Sequence, residues 1–245
     1  MAIPPKPKPK VSAPLPERFA FLDETCAQSA SEIVVGLSGG RDSVALLHAL
    51  AHSPYKEKLR AVHVHHGLSP HAPEWADFCE AMCIALGVRI DVAKVNVETG
   101  PRTSVEAAAR AARYAALREA CGADGIVALA HHADDQIESF FLQLLRGAGP
   151  RGLAAMPSCS SASEERPALW RPLLSVTRED IARYIDAHGL THIEDDSNQN
   201  RRFKRNALRL DVLPQLEKHF PDYRTAILRS IQLQQTALAA INEFT

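Results

Sequence analysis

The sequence predicts an α/β protein: an open parallel sheet of about five strands with helices on both faces. From Phe19 onward, short apolar runs alternate with stretches of helical periodicity. The apolar runs are hydrophobic throughout, which is typical of strands covered on both faces. The 245 residues, 46% of them hydrophobic, are enough to bury a substantial core.

Strands and helices are predicted to alternate along the first part of the chain. The strands are Ile33–Leu37, Leu59–His65, Val88–Val95 and Gly125–Ala130. The helices are Val44–His52, Pro73–Leu86, Ser104–Cys121 and Asp134–Leu145. Thr103 and Glu106 have the spacing of a capping box, and Gly122 follows the end of that helix. In such a sheet, ligands bind beyond the carboxyl ends of the strands, near the point where strand order reverses.

The pattern is less regular after Arg146. Leu169–Leu174 is predicted as a fifth strand, and a helix runs from Arg178 to His188 between a Thr177 cap and Gly189. A last helix, Tyr223–Asn242, carries apolar residues for which the sequence shows no partner within the chain.

Three parts are expected along the chain. Residues 1–16 include six prolines and three lysines, so they form a disordered tail. Residues 17–215 form the α/β domain. Residues 216–245 are the beginning of a helical C-terminal domain that this chain truncates.

Composition limits the classes of function. The formal charge of −1 gives no general attraction to nucleic acid, so any such contact must be local. The five cysteines contain no C-x-x-C pair, which favours reduced thiols over a disulfide framework or a Cys₄ zinc site. No uninterrupted apolar segment is long enough for a membrane span, and the N-terminus has no apolar signal core. We therefore expect a soluble, cytoplasmic protein without membrane contact.

The segment between the first strand and the first long helix is a candidate phosphate site. It reads Ser38, Gly39, Gly40, Arg41, Asp42 and Ser43. Two glycines allow a tight turn, and a helix start presents backbone N–H groups to an anion. The hydroxyls are further donors, and the Asp42 carboxylate is suited to holding Mg²⁺. The alternative is an ordinary strand-to-helix turn rich in small residues.

Acids and histidines follow the fourth strand, from His131 to Glu138. Asp134, Asp135 and Glu138 share much of one helical face. They are suited to a second magnesium contact or to a cationic amine, although acids in a first turn also simply complement the helix dipole. His63 and His65 share one side of the second strand. For them a packing or nucleotide-edge role is favoured over zinc.

Five basic residues and one aromatic occur between Arg201 and Arg209. They form either a solvated helix face, neutralised by the acids just before it, or a contact for ATP or RNA phosphates.

Two levels of resemblance follow from these motifs. S-G-G-x-D-S after a first strand resembles the pyrophosphate loop of the N-type PP-loop ATPases. Over about residues 30 to 215, the chain resembles the tRNA(Ile)-lysidine synthase family. The resemblance lies in the Ser38 loop, His65–Leu68, Glu106–Tyr114, His132–Glu138 with Arg146-Gly147, Arg171–Leu174, and Asp195–Asn198 followed by Arg205-Asn206 and Arg209. The chain has His65 where the family usually has asparagine.

The resemblance implies a fold and a reaction. The fold is that of the adenine nucleotide alpha hydrolases. ATP adenylates the C2 oxygen of the wobble cytidine of a CAU-anticodon tRNA(Ile), and free L-lysine then displaces AMP to give lysidine. The Ser38–Ser43 loop would cradle the pyrophosphate, and Asp42 and Asp135 would be Mg²⁺ ligands. Asp135 and Glu138 are the candidates for the lysine ammonium.

Arg113 and Arg205 would offset the charge that grows on the α-phosphate. The family also suggests a homodimer. Three alternatives stay open: a tRNA thiolase, a small-molecule amide synthetase, and a nucleotide- or RNA-binding module without catalysis.

Overall fold

The computed structural model describes residues 25–67, 69–97, 105–164, 166–194, 201 and 203–243. The strands in these residues are β1 (Ile33–Gly36), β2 (Leu59–His65), β3 (Arg89–Lys94), β4 (Ile126–Ala128), β5 (Cys159–Ser160) and β6 (Leu169–Trp170). They form one sheet in the order β3-β2-β1-β4-β6-β5. All neighbours pair in parallel except β5, which is antiparallel to β6. The predicted α/β class is confirmed.

Ten α-helices surround the sheet in the described part of the chain. They are α1 (Thr25–Gln28), α2 (Arg41–Ala51), α3 (Ala72–Leu86), α4 (Val105–Cys121), α5 (Ala133–Leu144), α6 (Pro150–Leu153), α7 (Arg178–His188), α8 (Lys204–Ala207), α9 (Leu213–His219) and α10 (Tyr223–Glu243). A 3₁₀ turn, Lys56–Lys58, precedes β2, and a π-helix, Leu208–Val212, joins α8 to α9. No helix among the described residues is both long enough and apolar enough to cross a membrane.

The two faces of the sheet are covered by different helices. Ile33 and Val35 of β1 pack in one core with residues of α2, α3 and α7. Val34, between them, packs on the opposite face with Tyr114 and Leu117 of α4. This alternation is the period of two of a β-strand. Because strand order reverses between β1 and β4, the carboxyl ends of these two strands flank the expected ligand position.

The start of α2 differs from the prediction in a way that concerns the candidate loop. The helix begins at Arg41 instead of Val44, after an extended Gly40. Arg41, Asp42 and Ser43 are therefore the first helical turn rather than part of the preceding loop. Apolar periodicity did not mark this turn because its residues are polar or charged.

The caps of α7 are confirmed. Thr177 Oγ1 accepts a hydrogen bond from Asp180 N (3.1 Å), and Thr177 N donates to Asp180 Oδ2 (3.3 Å). Gly189 ends the helix in the left-handed region, with φ of +61°. The capping box predicted at Thr103 and the tail at 1–16 lie outside the described residues.

The far edge of the sheet was predicted incompletely. The predicted strand Leu169–Leu174 is shorter, because the chain turns at residues 172–175. The prediction also missed β5, which consists of Cys159 and Ser160. Two residues are too few for a period of two to be visible, and this segment is poor in apolar residues.

The prediction that the last helix has no partner within the chain is wrong. Tyr223 of α10 is buried in a third core with Ile137 of α5, and Ile227 and Leu228 pack against it. Leu208 and Leu213 complete this core. Further along α10, Gln235 Nε2 donates to Ala154 O (3.0 Å). Helix α9 crosses the proposed boundary at 215/216, so the division into domains stays a prediction.

The expectation that all five cysteines are reduced is also wrong. Cys26 of α1 and Cys159 of β5 form a disulfide across 133 residues of sequence. Local cysteine spacing did not indicate this pair, because the two cysteines meet only through the fold. Cys79, Cys83 and Cys121 are free and buried.

Candidate functional site

Gly39 shapes the loop that joins β1 to α2. Its φ of +82° lies in the left-handed region that favours glycine. Ile193 N donates a hydrogen bond to Gly39 O (2.9 Å), and a side chain on Gly39 would collide with that of Ile193. The position therefore requires glycine for both its conformation and its close neighbour.

Two serines hold the loop closed. Their Oγ atoms, in Ser38 and Ser43, are 3.1 Å apart, and Gly40 N donates to Ser38 Oγ (3.3 Å). The first hydrogen bond of α2 runs from Val44 N to Gly40 O (3.0 Å). The N–H groups of the preceding turn therefore lie at the positive end of the helix dipole, an arrangement suited to phosphate.

His132 brings the loop and the start of α5 together. Its Nε2 lies 3.6 Å from Asp42 Oδ2 and 3.5 Å from Asp135 Oδ2. The backbone N–H of His132 also donates to Asp135 Oδ2 (3.0 Å). Two predicted site carboxylates, from separate segments of the chain, thus converge on one imidazole nitrogen.

Burial and charge act against each other in this group. Burial lowers the pKa of His132, but the Asp42 contact and the negative charges of Asp135 and Asp42 outweigh it, so the pKa is raised. Burial raises the pKa of Asp42, but the His132 contact and the charges of His132 and Arg41 hold it below its usual value. Both groups therefore favour their charged forms.

The donor set fits a magnesium ion. The Asp42 side chain is 35% exposed and that of Asp135 is 14% exposed, so both carboxylates are reachable. Carboxylate oxygens are hard ligands, and Mg²⁺ usually takes one or two of them together with phosphates and water.

A zinc site built on the histidines receives no geometric support. In the residues that the structure describes, no three His, Cys, Asp or Glu side chains are grouped to hold a metal ion. His63, one of the histidines considered, is buried, and its Nδ1–H donates to Leu37 O (2.9 Å).

Glu138 is enclosed by arginines. Arg209 pairs with both carboxylate oxygens, with Nε to Oε1 at 2.6 Å and Nη2 to Oε2 at 2.9 Å. Arg205 Nε lies 3.3 Å from Oε2, and Arg178 Nη2 lies 3.8 Å from Oε1. The Glu138 side chain is only 1% exposed. A substrate ammonium would have to displace a guanidinium to reach it.

These arginines lie next to the Asp42–His132–Asp135 group. Burial lowers the pKa of Arg209, but the contact with Glu138 and the charges of Asp135 and Asp42 raise it overall. Arg205 Nη2 also donates to Ser139 Oγ (2.9 Å). The structure thus unites four predicted site residues, Asp42, Asp135, Glu138 and Arg205.

Asp134 lies 3.7 Å (Oδ2) from His132 Nδ1 and also contacts two other helices. Arg178 N donates to its Oδ2 (2.9 Å), and Arg224 of α10 pairs with its Oδ1. This third acid of the predicted face therefore joins α5 to α7 and α10.

Arg113 is exposed on α4 and lies near the carboxyl end of β2. Burial lowers the pKa of His66 there, and the positive charge of Arg113 lowers it further. A cavity of about 470 Å³ opens at this end, lined by residues 65–67 and 94–97. Within the described part of the chain, Arg113 makes no contact with the carboxylates of Asp42, Asp135 or Glu138.

Sequence reasoning missed Arg178 and Arg224 and gave His132 no role of its own. Arg178 could have been noticed from its position, because a cation in the first turn of a helix is unfavourable with the helix dipole and so indicates an acidic partner elsewhere. Arg224 had none, since it meets Asp134 across 90 residues of sequence.

A family model described as a PP-loop domain matches residues 15–216. The tRNA(Ile)-lysidine synthase of Chromobacterium violaceum is 48% identical over 212 residues, which are 85% of this chain and 48% of that protein. Those of Neisseria meningitidis serogroup B and Burkholderia mallei are 45% and 47% identical; each match covers 88% of this chain, with 50% and 45% of the relative. The chain spans about half the length of these curated relatives.

Two solved structures resemble the fold. The U34-tRNA thiolase NcsA from Methanococcus maripaludis, solved with its [4Fe-4S] cluster, superposes with a TM-score of 0.71 at 17% identity, covering 89% of this chain and 78% of that one. The NH₃-dependent NAD synthetase from Campylobacter jejuni gives 0.51 at 17% identity, covering 91% and 92%. At these identities the likeness concerns the fold.

Proposed function

Because the chain belongs to the PP-loop family, we propose that it carries the ATP-dependent catalytic unit of a tRNA(Ile)-lysidine synthase. The observation that carries this proposal is the convergence of Asp42 and Asp135 on His132, beside a phosphate-binding helix end. This arrangement supports a nucleoside triphosphate and an amine meeting at the carboxyl edge of the sheet.

The proposed reaction has two steps. The C2 oxygen of the wobble cytidine attacks the α-phosphate of ATP, and pyrophosphate leaves. The ε-amine of lysine then attacks C2, loses a proton and expels AMP. The target base must leave its stack, which suits a single-stranded anticodon loop.

The residues receive the following roles in this proposal. The N–H groups and hydroxyls of Ser38–Ser43 bind the pyrophosphate portion of ATP. Asp42 and Asp135 would hold a magnesium ion, whose charge neutralises phosphate oxygens. The cavity at His65–Gly67 suits the adenosine.

Asp135, in addition to its magnesium role, and Glu138 are the two candidates for the lysine ammonium, and their exposure decides between them. Asp135 is assigned to the lysine ammonium, because its carboxylate is reachable whereas that of Glu138 is sealed by arginines. Glu138 instead holds Arg205 and Arg209, whose guanidinium groups offset charge developing on the α-phosphate. Arg113 is assigned to the same developing charge from the β2 side.

The cysteines favour this proposal over sulfur transfer. A thiolase needs reactive thiols, whereas burial raises the pKa of Cys79 to about 12 and that of Cys83 to about 11. The names of the relatives favour a tRNA substrate over small-molecule amide synthesis. The basic segment at 201–209 does not add to this argument, because Arg201 pairs with Asp211 and both Arg205 and Arg209 pair with Glu138. The cytoplasmic location and pairing of two chains remain predictions.

Mass spectrometry of the tRNA tests the function directly. The chain is incubated with ATP, Mg²⁺, L-lysine and CAU-anticodon tRNA(Ile), and a lysine adduct on the wobble cytidine is expected. Pyrophosphate release should require the tRNA, and its release over many turnovers should require lysine as well. A tRNA with a changed wobble base is the matched control. Turnover with ammonia or glutamine and no RNA would instead identify an amide synthetase.

A further inference from the structure

Three arginines surround one aromatic ring on the face of the sheet opposite α2. Arg110 Cζ lies 5.2 Å from the ring centroid of Tyr114, and Arg166 Cζ lies 5.9 Å from it. Arg110 Nη2 also donates to Tyr114 Oη (3.3 Å). Arg171 is close enough for its charge to interact with those of Arg110 and Arg166. We call these four residues the Tyr114 arginine cluster.

The cluster has no counter-charge in the described part of the chain. None of its three arginines pairs with a carboxylate there, whereas Arg60 pairs with two and Arg209 with Glu138. Like charges held together repel, and the repulsion is relieved when an anion binds between them. The cluster is therefore suited to binding a negatively charged ligand.

Unsatisfied donors strengthen this conclusion. Arg171 is 7% exposed; its Nη1 donates to Pro157 O (2.8 Å) and Ser160 Oγ (3.1 Å), yet its buried Nε has no hydrogen-bond partner among the residues that the structure describes. The buried Nδ1 of His131 also lacks a partner. Buried polar atoms are rarely left unpaired, so such atoms beside a cationic cluster indicate a missing ligand or water.

The cluster borders the proposed active site. Arg171 directly follows β6, and His131 lies three residues beyond β4, at the same carboxyl edge of two paired parallel strands. His131 interacts electrostatically with Asp135 and Arg205 on the site side and with Arg110 and Arg171 on the cluster side. An anion held by the cluster would therefore lie next to the reacting groups.

We propose that the Tyr114 arginine cluster binds phosphodiester groups of the RNA substrate next to the nucleotide that is modified. The inference rests on the proposed function. An RNA phosphate is favoured over the pyrophosphate portion of ATP because α2, whose first turn is assigned to that portion, packs on one face of the sheet and Tyr114 of α4 on the other. Apart from the bond from Arg110 Nη2 to Tyr114 Oη, guanidinium N–H groups beside a tyrosine ring can donate to phosphate oxygens.

The test compares Arg110→Ala, Arg166→Ala and the double variant with Arg118→Ala. Arg118 is exposed on the same helix, about 12 Å further along its axis than Arg110. Arg171 is left intact because its hydrogen bonds to Pro157 and Ser160 help hold the β5–β6 region. The probe is a fluorescently labelled CAU anticodon stem-loop, titrated by anisotropy at several salt concentrations. ATP binding is measured separately on each variant.

Each single variant is expected to bind the stem-loop about 5- to 10-fold more weakly, with a salt slope shallower by about 0.7 to 0.9 per lost phosphate contact. In the double variant the two losses of affinity and the two changes in salt slope should add up. Arg118→Ala should bind the stem-loop as the wild-type chain does, and every variant should bind ATP normally. Wild-type affinity and slope in the double variant would overturn the inference and leave the proposed function standing. Weaker ATP binding with unchanged RNA binding would assign the cluster to the nucleotide and overturn it as well. If the wild-type chain binds no stem-loop and forms no adduct, both proposals fail.

Discussion

Asp135 and Glu138 lie one turn apart on α5, but their carboxylates have opposite surroundings. Asp135 is 14% exposed and is near a histidine that it shares with Asp42. Glu138 is 1% exposed and is contacted by Arg178, Arg205 and Arg209. Two carboxylates on one helical face therefore have different roles. Asp135, the open acid, can reach a ligand, whereas Glu138, the closed acid, holds arginines in place.

The first prediction tests the open acid. Asp135→Asn keeps the shape of the side chain and an oxygen that can accept the His132 N–H, but it removes the charge. We expect pyrophosphate release to fall about 1,000-fold, with the free energy of unfolding nearly unchanged. Steady-state pyrophosphate assays and urea denaturation measure the two quantities. Full activity in this variant would remove Asp135 from the site.

The second prediction tests the closed acid. Glu138→Gln leaves three guanidinium groups close together without their shared carboxylate, so we expect a loss of about 3 kcal/mol in the free energy of unfolding. Urea denaturation at pH 7 checks this value. Glu119→Gln, an exposed position on α4, is the control and should change stability by less than about 0.5 kcal/mol. Equal stability of both variants would contradict the structural role.

The third prediction concerns the loss of stability at low pH, which we attribute to His48 and not to Asp135 or Glu138. His48 of α2 lies 2.7 Å (Nδ1) from Tyr184 Oη of α7, and its ring centroid lies 4.3 Å from that of His52 and 4.9 Å from that of His188. Burial and the charges of these two histidines together lower the pKa of His48 to about 4. The unfolded chain therefore binds this proton more readily than the folded chain between about pH 6.5 and pH 4, so stability falls as the pH falls through that range.

His48→Gln should remove this contribution. Between pH 7 and pH 4.5, we expect the wild-type chain to lose roughly 2 kcal/mol more than the variant. Denaturation curves at both pH values provide the measurement, and His71→Gln, exposed at the start of α3, is the matched control. If the wild-type chain and His48→Gln lost the same free energy of unfolding between pH 7 and pH 4.5, another group would be responsible for the loss of stability in acid.

The surroundings of the open acid, Asp135, could largely be predicted from the sequence. Asp42 and Asp135 follow β1 and β4, and the carboxyl ends of neighbouring parallel strands meet at one edge. Local motifs and strand order were therefore enough to expect their proximity. The predictions of a parallel sheet and of helices on both of its faces rested on the same kind of local periodicity.

The arginines around the closed acid, Glu138, could not be predicted in this way. Glu138 meets Arg209 across 71 residues of sequence, and no local pattern determines which basic side chain fills a buried position. The packing of α10 onto α5 and the pairing of Cys26 with Cys159 were missed for the same reason. Each depends on how elements distant in sequence are arranged once the sheet has formed.

The bond between Cys26 and Cys159 turns residues 26–159 into a covalent ring that contains both Asp42 and Asp135. A protease that cuts once anywhere inside this ring leaves the two pieces attached to one another. Such a nicked chain should migrate as a single species on a denaturing gel without thiol and separate into two bands only after reduction.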